Sequence, residues 1–410
     1  MAIRTVRPEE PADVARALIA LGAQLEAQRR DEPAIAAYDA VATRFGDSTG
    51  DAQMEELVVV ALLRKGLFLA RLERRREAIA VFEGVITRFG DARDQRSRNH
   101  LALPMFHIGV ELGRLGQYAD AIDAYDRVID LFGSAAESEL LDAVARSMLN
   151  KGGNLSKLGR KIDSIDVYRE LAARFGASPA ENLRETAAKA TVNVSVELGA
   201  LGRREEAIAV CDEVVSRFGG AAEIALQAQV ARAMFQRAAM LAAMERNDEA
   251  VAAYSEMARR FAGVENPVID EEVGKALVNK AVRLGKLGRD AEAVALYDEI
   301  AAANADAAEP VKRERAARAM VNKAASLGAL GRDDDAIAAL DAVCARFGQS
   351  PEPPVQAEVA RALVNKGKRL DRLGRKLDAI SSFQEVVSRF AAATHPGILK
   401  QVKEARSLLR

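Results

Sequence analysis

The sequence predicts an all-α protein, a solenoid of nine helix-turn-helix repeats closed by a C-terminal helix. Three observations predict it. The string RFG, or a near relative, ends each unit, and its aromatic position falls at Phe45, Phe89, Phe132, Phe175, Phe218, Phe261, Asn304, Phe347 and Phe390. The first step is 44 residues and each later step is 43. Within a unit the apolar residues recur at helical spacing in two stretches, and with aromatics at 5% and no Trp the core must be built from Ala, Leu, Val and Ile.

The units run from residue 11 to 390, with no room for a separate domain. Residues 1–10 are expected to be a short flexible lead. Residues 391–410 hold a capping helix, PGILKQVKEARSLLR from position 396, because the open end of a stack needs a solvating cover.

Helix A of each unit carries an invariant Leu (Leu25, Leu69, Leu112, Leu155, Leu198, Leu241, Leu284, Leu327, Leu370) and a small residue (Gly66, Gly109, Gly152, Ser195, Ala238, Ala281, Ala324, Gly367). The small residue lets a second helix approach closely. Gly116, Gly159, Gly202, Gly288, Gly331 and Gly374 end helix A in a tight turn, since Gly accepts a positive φ. Arg29, Glu73 and Glu245 take that place in units one, two and six, where looser turns are expected. Helix B follows with Ala and then Ile or Val, as in Ala121-Ile122, and a ring four residues after the Ala: Tyr38, Phe82, Tyr125, Tyr168, Tyr254, Tyr297 and Phe383. The i,i+4 pairs Glu170–Arg174, Glu213–Arg217, Glu256–Arg260 and Glu385–Arg389 mark an exposed face of helix B.

These positions, at these offsets, resemble the tetratricopeptide repeat over nearly the whole chain. That family's unit is about 34 residues, so helix A here is longer by about two turns; the kinesin light chain repeats are a similar lengthened variety. The resemblance implies a right-handed superhelical solenoid whose helices A line a concave face. HEAT repeats lack support because their mid-helix Pro is missing, and WD40 repeats because strand alternation is missing.

A polar stripe runs along helix A. Six consecutive units carry a cation and, one turn later, an amide: Arg146 and Asn150, Lys189 and Asn193, Arg232 and Gln236, Lys275 and Asn279, Arg318 and Asn322, Arg361 and Asn365. No unit has an acid at either place. The side chain three residues past the amide is small or apolar in most units, as at Gly153, Val196 and Ala325. In the family, the resemblance implies, an Asn here contacts ligand backbone, and in chaperone-binding members a basic residue one turn earlier helps clamp a terminal carboxylate. An amide can meet both C=O and N–H of a guest backbone, and Arg or Lys adds charge-assisted bonds. The expected role is a non-enzymatic scaffold holding an extended, acidic peptide segment or C-terminus. Two alternatives stand beside it: a self-assembling array, or a single-strand nucleic acid groove, ranked last because it lacks aromatic stacking platforms. The bland reading of the amide row is a tie between neighbouring repeats.

Net charge is −1, so nothing global pulls toward nucleic acid or an anionic membrane. Cys211 and Cys344 read as core packing in a reducing compartment, and the N-terminus lacks an apolar signal core. A cytoplasmic protein is expected, with no membrane partner. His100, His107 and His395 are scattered without metal-ligand spacing and read as loop or surface residues; the carboxylates read as exposed on helix B. No cofactor, metal or catalytic constellation is expected.

Overall fold

The computed structural model describes residues 10–46, 51–89 and 99–410. Of the expected N-terminal lead, residues 1–10, all but Glu10 lie outside them. Two compact units divide the chain, Met1–Leu201 and Gly202–Arg410. The first holds α1 (Pro11–Ala27), α2 (Asp31–Phe45), α3 (Ala52–Arg71), α4 (Arg75–Phe89), α5 (Ala102–Arg114), α6 (Tyr118–Phe132), α7 (Ser138–Lys157), α8 (Lys161–Phe175) and α9 (Glu181–Ala200). The second holds α10 (Arg204–Phe218), α11 (Ile224–Ala243), α12 (Asn247–Arg260), α13 (Pro267–Lys286), α14 (Asp290–Asn304), α15 (Pro310–Ala329), α16 (Asp333–Phe347), α17 (Pro353–Arg372), α18 (Lys376–Arg389) and α19 (Pro396–Leu408). Odd numbers up to α17 are helix A of successive repeats and even numbers are helix B. The described residues contain no strand. Each unit is a run of stacked helical hairpins, an all-α solenoid.

Seven helices A (α3, α7, α9, α11, α13, α15 and α17) are 20 residues long, or about 30 Å, which is where the extra length of the repeat goes. Four late helices, α13, α15, α17 and α19, open on Pro within the first turn, where its missing N–H costs nothing. Helix B opens on a fork: Arg203, Arg246 and Arg289 each hold the acid three residues on (Glu206, Glu249, Glu292) at 2.6–2.7 Å. The acids lie in the first turn, where the helix dipole favours them.

The turn between the helices is the same everywhere it is described. Arg29, Glu73 and Glu245 have φ of 58°, 62° and 59°, matching the left-handed Gly116 and Gly159 at 79°. The next residue's N–H returns to the invariant Leu: Arg74 to Leu69 and Arg246 to Leu241 at 3.0 Å, as Arg160 does to Leu155 at 2.9 Å. The looser turns expected at these three positions are therefore not formed. The returning hydrogen bond and the packing of the Leu hold the non-glycine residues in a conformation that costs an L-residue about 1–2 kcal/mol.

The ring of helix B lies against the small residue of its own helix A. A Cβ on Gly22 would come within 2.5 Å of Tyr38, and one on Gly109 within 2.6 Å of Tyr125. Both rings are buried, so the small residue sets how closely the two helices pack. At the far end, Ile398, Val402 and Ala405 of α19 join the core that runs through α15 to α18, and Lys368 of α17 pairs with Glu404.

Polar ties stitch each repeat to the one before it within a unit. Helix A offers a cation to an Asp of the preceding helix B: Lys65–Asp39 at 2.6 Å, Lys151–Asp126 at 2.5 Å, Arg237–Asp212 at 3.1 Å, Lys323–Asp298 at 2.5 Å and Lys366–Asp341 at 2.6 Å. A second tie links helix A to the start of the preceding helix B. Glu197 accepts from Lys161 at 3.0 Å and from the Ser156 hydroxyl at 2.5 Å, whereas Arg369 meets Asp333 with the charges reversed. The third tie corrects an expectation. Arg174, Arg260 and Arg389 donate to the carbonyls of Gly133, Gly219 and Gly348, which follow the preceding helix B. Of the four i,i+4 pairs, Glu385–Arg389 at 3.5 Å is the one within ion-pair distance among the described residues. A cation placed on the last carbonyls of a helix satisfies groups left open by the helix end, and that outcompetes a solvent-screened pair.

Candidate functional site

Two open clefts on the helix A side receive residues of the stripe, one inside each unit. The first, about 780 Å³, is lined by α3, α5, α7 and α9 and receives Phe106, His107, Asp142, Arg146, Asn150 and Lys189. The second, about 490 Å³, is lined by α11, α13 and α15 and receives Phe235, Glu271, Lys275, Asn279, Arg318 and Asn322. Seven of the twelve stripe residues thus line these clefts: Arg146, Asn150 and Lys189 in the first unit, Lys275, Asn279, Arg318 and Asn322 in the second. Arg232, Gln236, Arg361 and Asn365, of the second unit, and Asn193, of the first, are half-buried outside these linings.

Four amides have a phenol of the preceding helix B behind them. Asn150 lies in front of Tyr125, Asn193 in front of Tyr168, Asn279 in front of Tyr254 and Asn322 in front of Tyr297; the hydrogen bond is formed at Asn279, whose Nδ2 donates to Tyr254 Oη at 3.4 Å. Burial drives all four phenols up, Tyr125 and Tyr297 to about 12, so they stay protonated near neutrality. The inter-repeat tie envisaged for the amide row is present at Asn279, yet one phenol uses one of an amide's several bonding positions. Each Asn remains half-exposed. The positions facing Gln236 and Asn365 are Cys211 and Leu340, which cannot offer a phenol.

The cations are likewise held. Arg146 lies 3.6 Å from Asp142, Lys189 2.6 Å from Glu185 and Lys275 2.7 Å from Glu271, each acid one turn earlier; Arg318 pairs with Glu314 in the same way. Burial alone would lower the Lys275 ammonium, but its bonds to Glu271 and Glu272 win and raise it, and they hold Glu271 below the usual carboxylate range. These four cations stay 36–47% exposed and can still face a guest. Arg361 differs. It donates to Asn322 Oδ1 at 2.9 Å and meets Glu358 at 2.9 Å, and burial lowers its pKa. The rows held no acid, but the surface beside them does, and its charge is mixed.

Several residues lie where the sequence did not suggest. His107 is no surface residue: it sits on α5 in the first cleft, stacked on Phe82 with ring centres 5.5 Å apart, and burial pushes its pKa down to about 4. Glu111, Glu197 and Glu358 are buried acids of helix A rather than exposed ones of helix B. Cys211 is buried as expected, while Cys344 is half-buried, its thiol raised to about 11 mainly by burial. Phe106 and Phe235 passed as ordinary apolar positions. The signal that would have found them is their size, since the other repeats carry Ile, Leu or Val there. Among the described residues no cluster of His, Cys, Asp and Glu could hold a metal ion, and no helix is long and apolar enough to cross a membrane.

No protein-family model matches the sequence, and no curated protein does. Solved structures do resemble the fold. The apo form of the quorum sensor NprR from B. thuringiensis shares 10% identity, with 92% of this chain and 99% of that one covered, at a TM-score of 0.51. The apo form of RapI shares 12% identity over 86% and 96% of the two chains at 0.52. A tetratricopeptide repeat protein from Parabacteroides merdae matches 85% of this chain and 98% of its own at 12% identity and a TM-score of 0.40. At such identities the likeness is one of fold: the chain shares the all-α helical-repeat solenoid of these structures.

Proposed function

We propose that the chain is a non-enzymatic, cytoplasmic scaffold that grips an extended peptide segment in the clefts of helix A. The observation that carries this is the pre-set cation and amide pairs. Side chains already immobilised from behind lose little entropy when a guest arrives. The amides meet the guest backbone. Arg146, Lys189, Lys275 and Arg318 meet acidic side chains or a free C-terminus, and Arg232, Gln236, Arg361, Asn365 and Asn193 extend the same stripe. That one chain of similar fold is a quorum sensor supports a binding role rather than a catalytic one. Since each cation shares a carboxylate, binding is modest and weakens with salt.

The test separates gripping from stitching. A degenerate eight-residue peptide library is enriched on the purified chain, and a recovered peptide is titrated against variants. Asn150→Ala with Asn279→Ala removes the guest-facing amides; Tyr125→Phe with Tyr254→Phe removes the phenols behind them and spares the amides. Loss of about tenfold or more is expected for the first pair, from roughly two hydrogen bonds, and little change for the second. Equal effects from both pairs, or a library that enriches nothing, refute the proposal.

A further inference from the structure

The two clefts occupy the same positions of the repeat. Moving 129 residues along the chain, three repeats, carries Phe106, Asp142, Arg146, Asn150, Glu185 and Lys189 onto Phe235, Glu271, Lys275, Asn279, Glu314 and Arg318. The match extends to geometry. Phe106 tilts against Tyr125 with ring centres 6.0 Å apart and planes at 46°; Phe235 meets Tyr254 at 6.1 Å and 50°. Both tyrosines lie behind the first amide of their cleft, Tyr125 behind Asn150 and Tyr254 in hydrogen bond with Asn279.

A 43-residue repeat alone does not produce this. Phe stands at that position in repeats three and six; the other seven carry Ile19, Leu63, Leu149, Val192, Val278, Val321 and Val364. The acid one turn before the cation is present in repeats four and five, and again in seven and eight. It is Ala228 in repeat six and Ala357 in repeat nine. The phenol behind the amide follows the same rhythm, with Cys211 and Leu340 breaking it. Three independent features, a ring, an acid and a phenol, therefore share a period of three repeats. Packing needs none of them at that period, because the repeats that lack them stack equally well and bury the same core positions. Each triplet ends on a rung with no phenol behind the amide and no acid one turn before the cation; in the second, Arg361 meets Glu358 three residues before it instead.

We infer that the clefts are two copies of one binding site, one in each compact unit, so that the chain takes two guests of the same class: an extended peptide with its backbone on the amides and an acidic side chain on the cations, over a floor set by the buried Phe106 or the half-buried Phe235. This rests on the peptide reading above. The flanks differ: Thr186 of the first cleft becomes Arg315 in the second, and the first is lined in addition by Leu67, Ala70 and Arg71 of a fourth helix.

The same peptide library is enriched separately on Arg146→Glu, which disables the first cleft, on Lys275→Glu, which disables the second, and on the double variant, each checked for native helical content by circular dichroism. Phe106→Leu and Phe235→Val, the residues other repeats use, repeat the test with packing preserved. Both single variants should return the same core sequence and the double variant none. A synthetic peptide of that sequence should titrate with two sites on the unmodified chain and one on each single variant. Unrelated sequences from the two variants, or a single site on the unmodified chain, overturn the duplication and leave peptide binding standing; no enrichment on the unmodified chain overturns both.

Discussion

Exchanging the charges of Lys161 and Glu197 tests how neighbouring repeats recognise each other. Glu197 is nearly buried, at 10% side-chain exposure, and Lys161 is 32% exposed, with 3.0 Å between Nζ and Oε2. At that distance the Coulomb term is about 5 kcal/mol for an effective dielectric near 20. Desolvation of Glu197 and the solvent around Lys161 remove much of it, leaving about 2 kcal/mol. Lys161→Glu forfeits that and sets two acids together, so the cost should be about 2–4 kcal/mol. The double exchange, Lys161→Glu with Glu197→Lys, should recover more than half. Arg369 and Asp333 hold the same two positions with the opposite polarity, and the Ser156 hydroxyl can accept as well as donate. Long repeat arrays depart from two-state unfolding, so the assay is native-state hydrogen exchange at α8 and α9, which reports local opening. If the double exchange opens as readily as Lys161→Glu alone, polarity is not interchangeable and the reasoning fails.

Two further outcomes are expected. Glu73→Gly should stabilise α3–α4 by about 0.5–1 kcal/mol, since it relieves a left-handed residue at some entropic cost, whereas Gly288→Ala should destabilise α13–α14 by about 1 kcal/mol; denaturant midpoints and local exchange read both. His107, whose folded pKa of about 4 lies below its unfolded value of 6.5, stabilises the chain fully above pH 6.5, and that contribution, at most about 3 kcal/mol, drains away as pH falls from 6.5 towards 4. Urea midpoints at pH 7 and pH 4.5 should converge in His107→Phe relative to the unmodified chain.

The sequence alone determined the repeat, its phase and its two helices, because packing obliges apolar and small residues to recur: a ring on helix B needs a small residue, Gly109 or Ala238 for example, opposite it in its own hairpin. It also marked the stripe of cations and amides, since period 43 places them on one side of every helix A. The tertiary structure decided what those side chains face. Whether Asn279 bonds Tyr254, whether Arg146 shares Asp142, and whether Arg174 turns to Glu170 or to the carbonyl of Gly133 depend on atoms in a different helix or on competition within one turn. Such choices are settled by burial and reach, to which sequence spacing is blind. The turns at Arg29, Glu73 and Glu245 show the same limit: local propensity argues against a positive φ, and the Leu-anchored hydrogen bond across the turn overrides it.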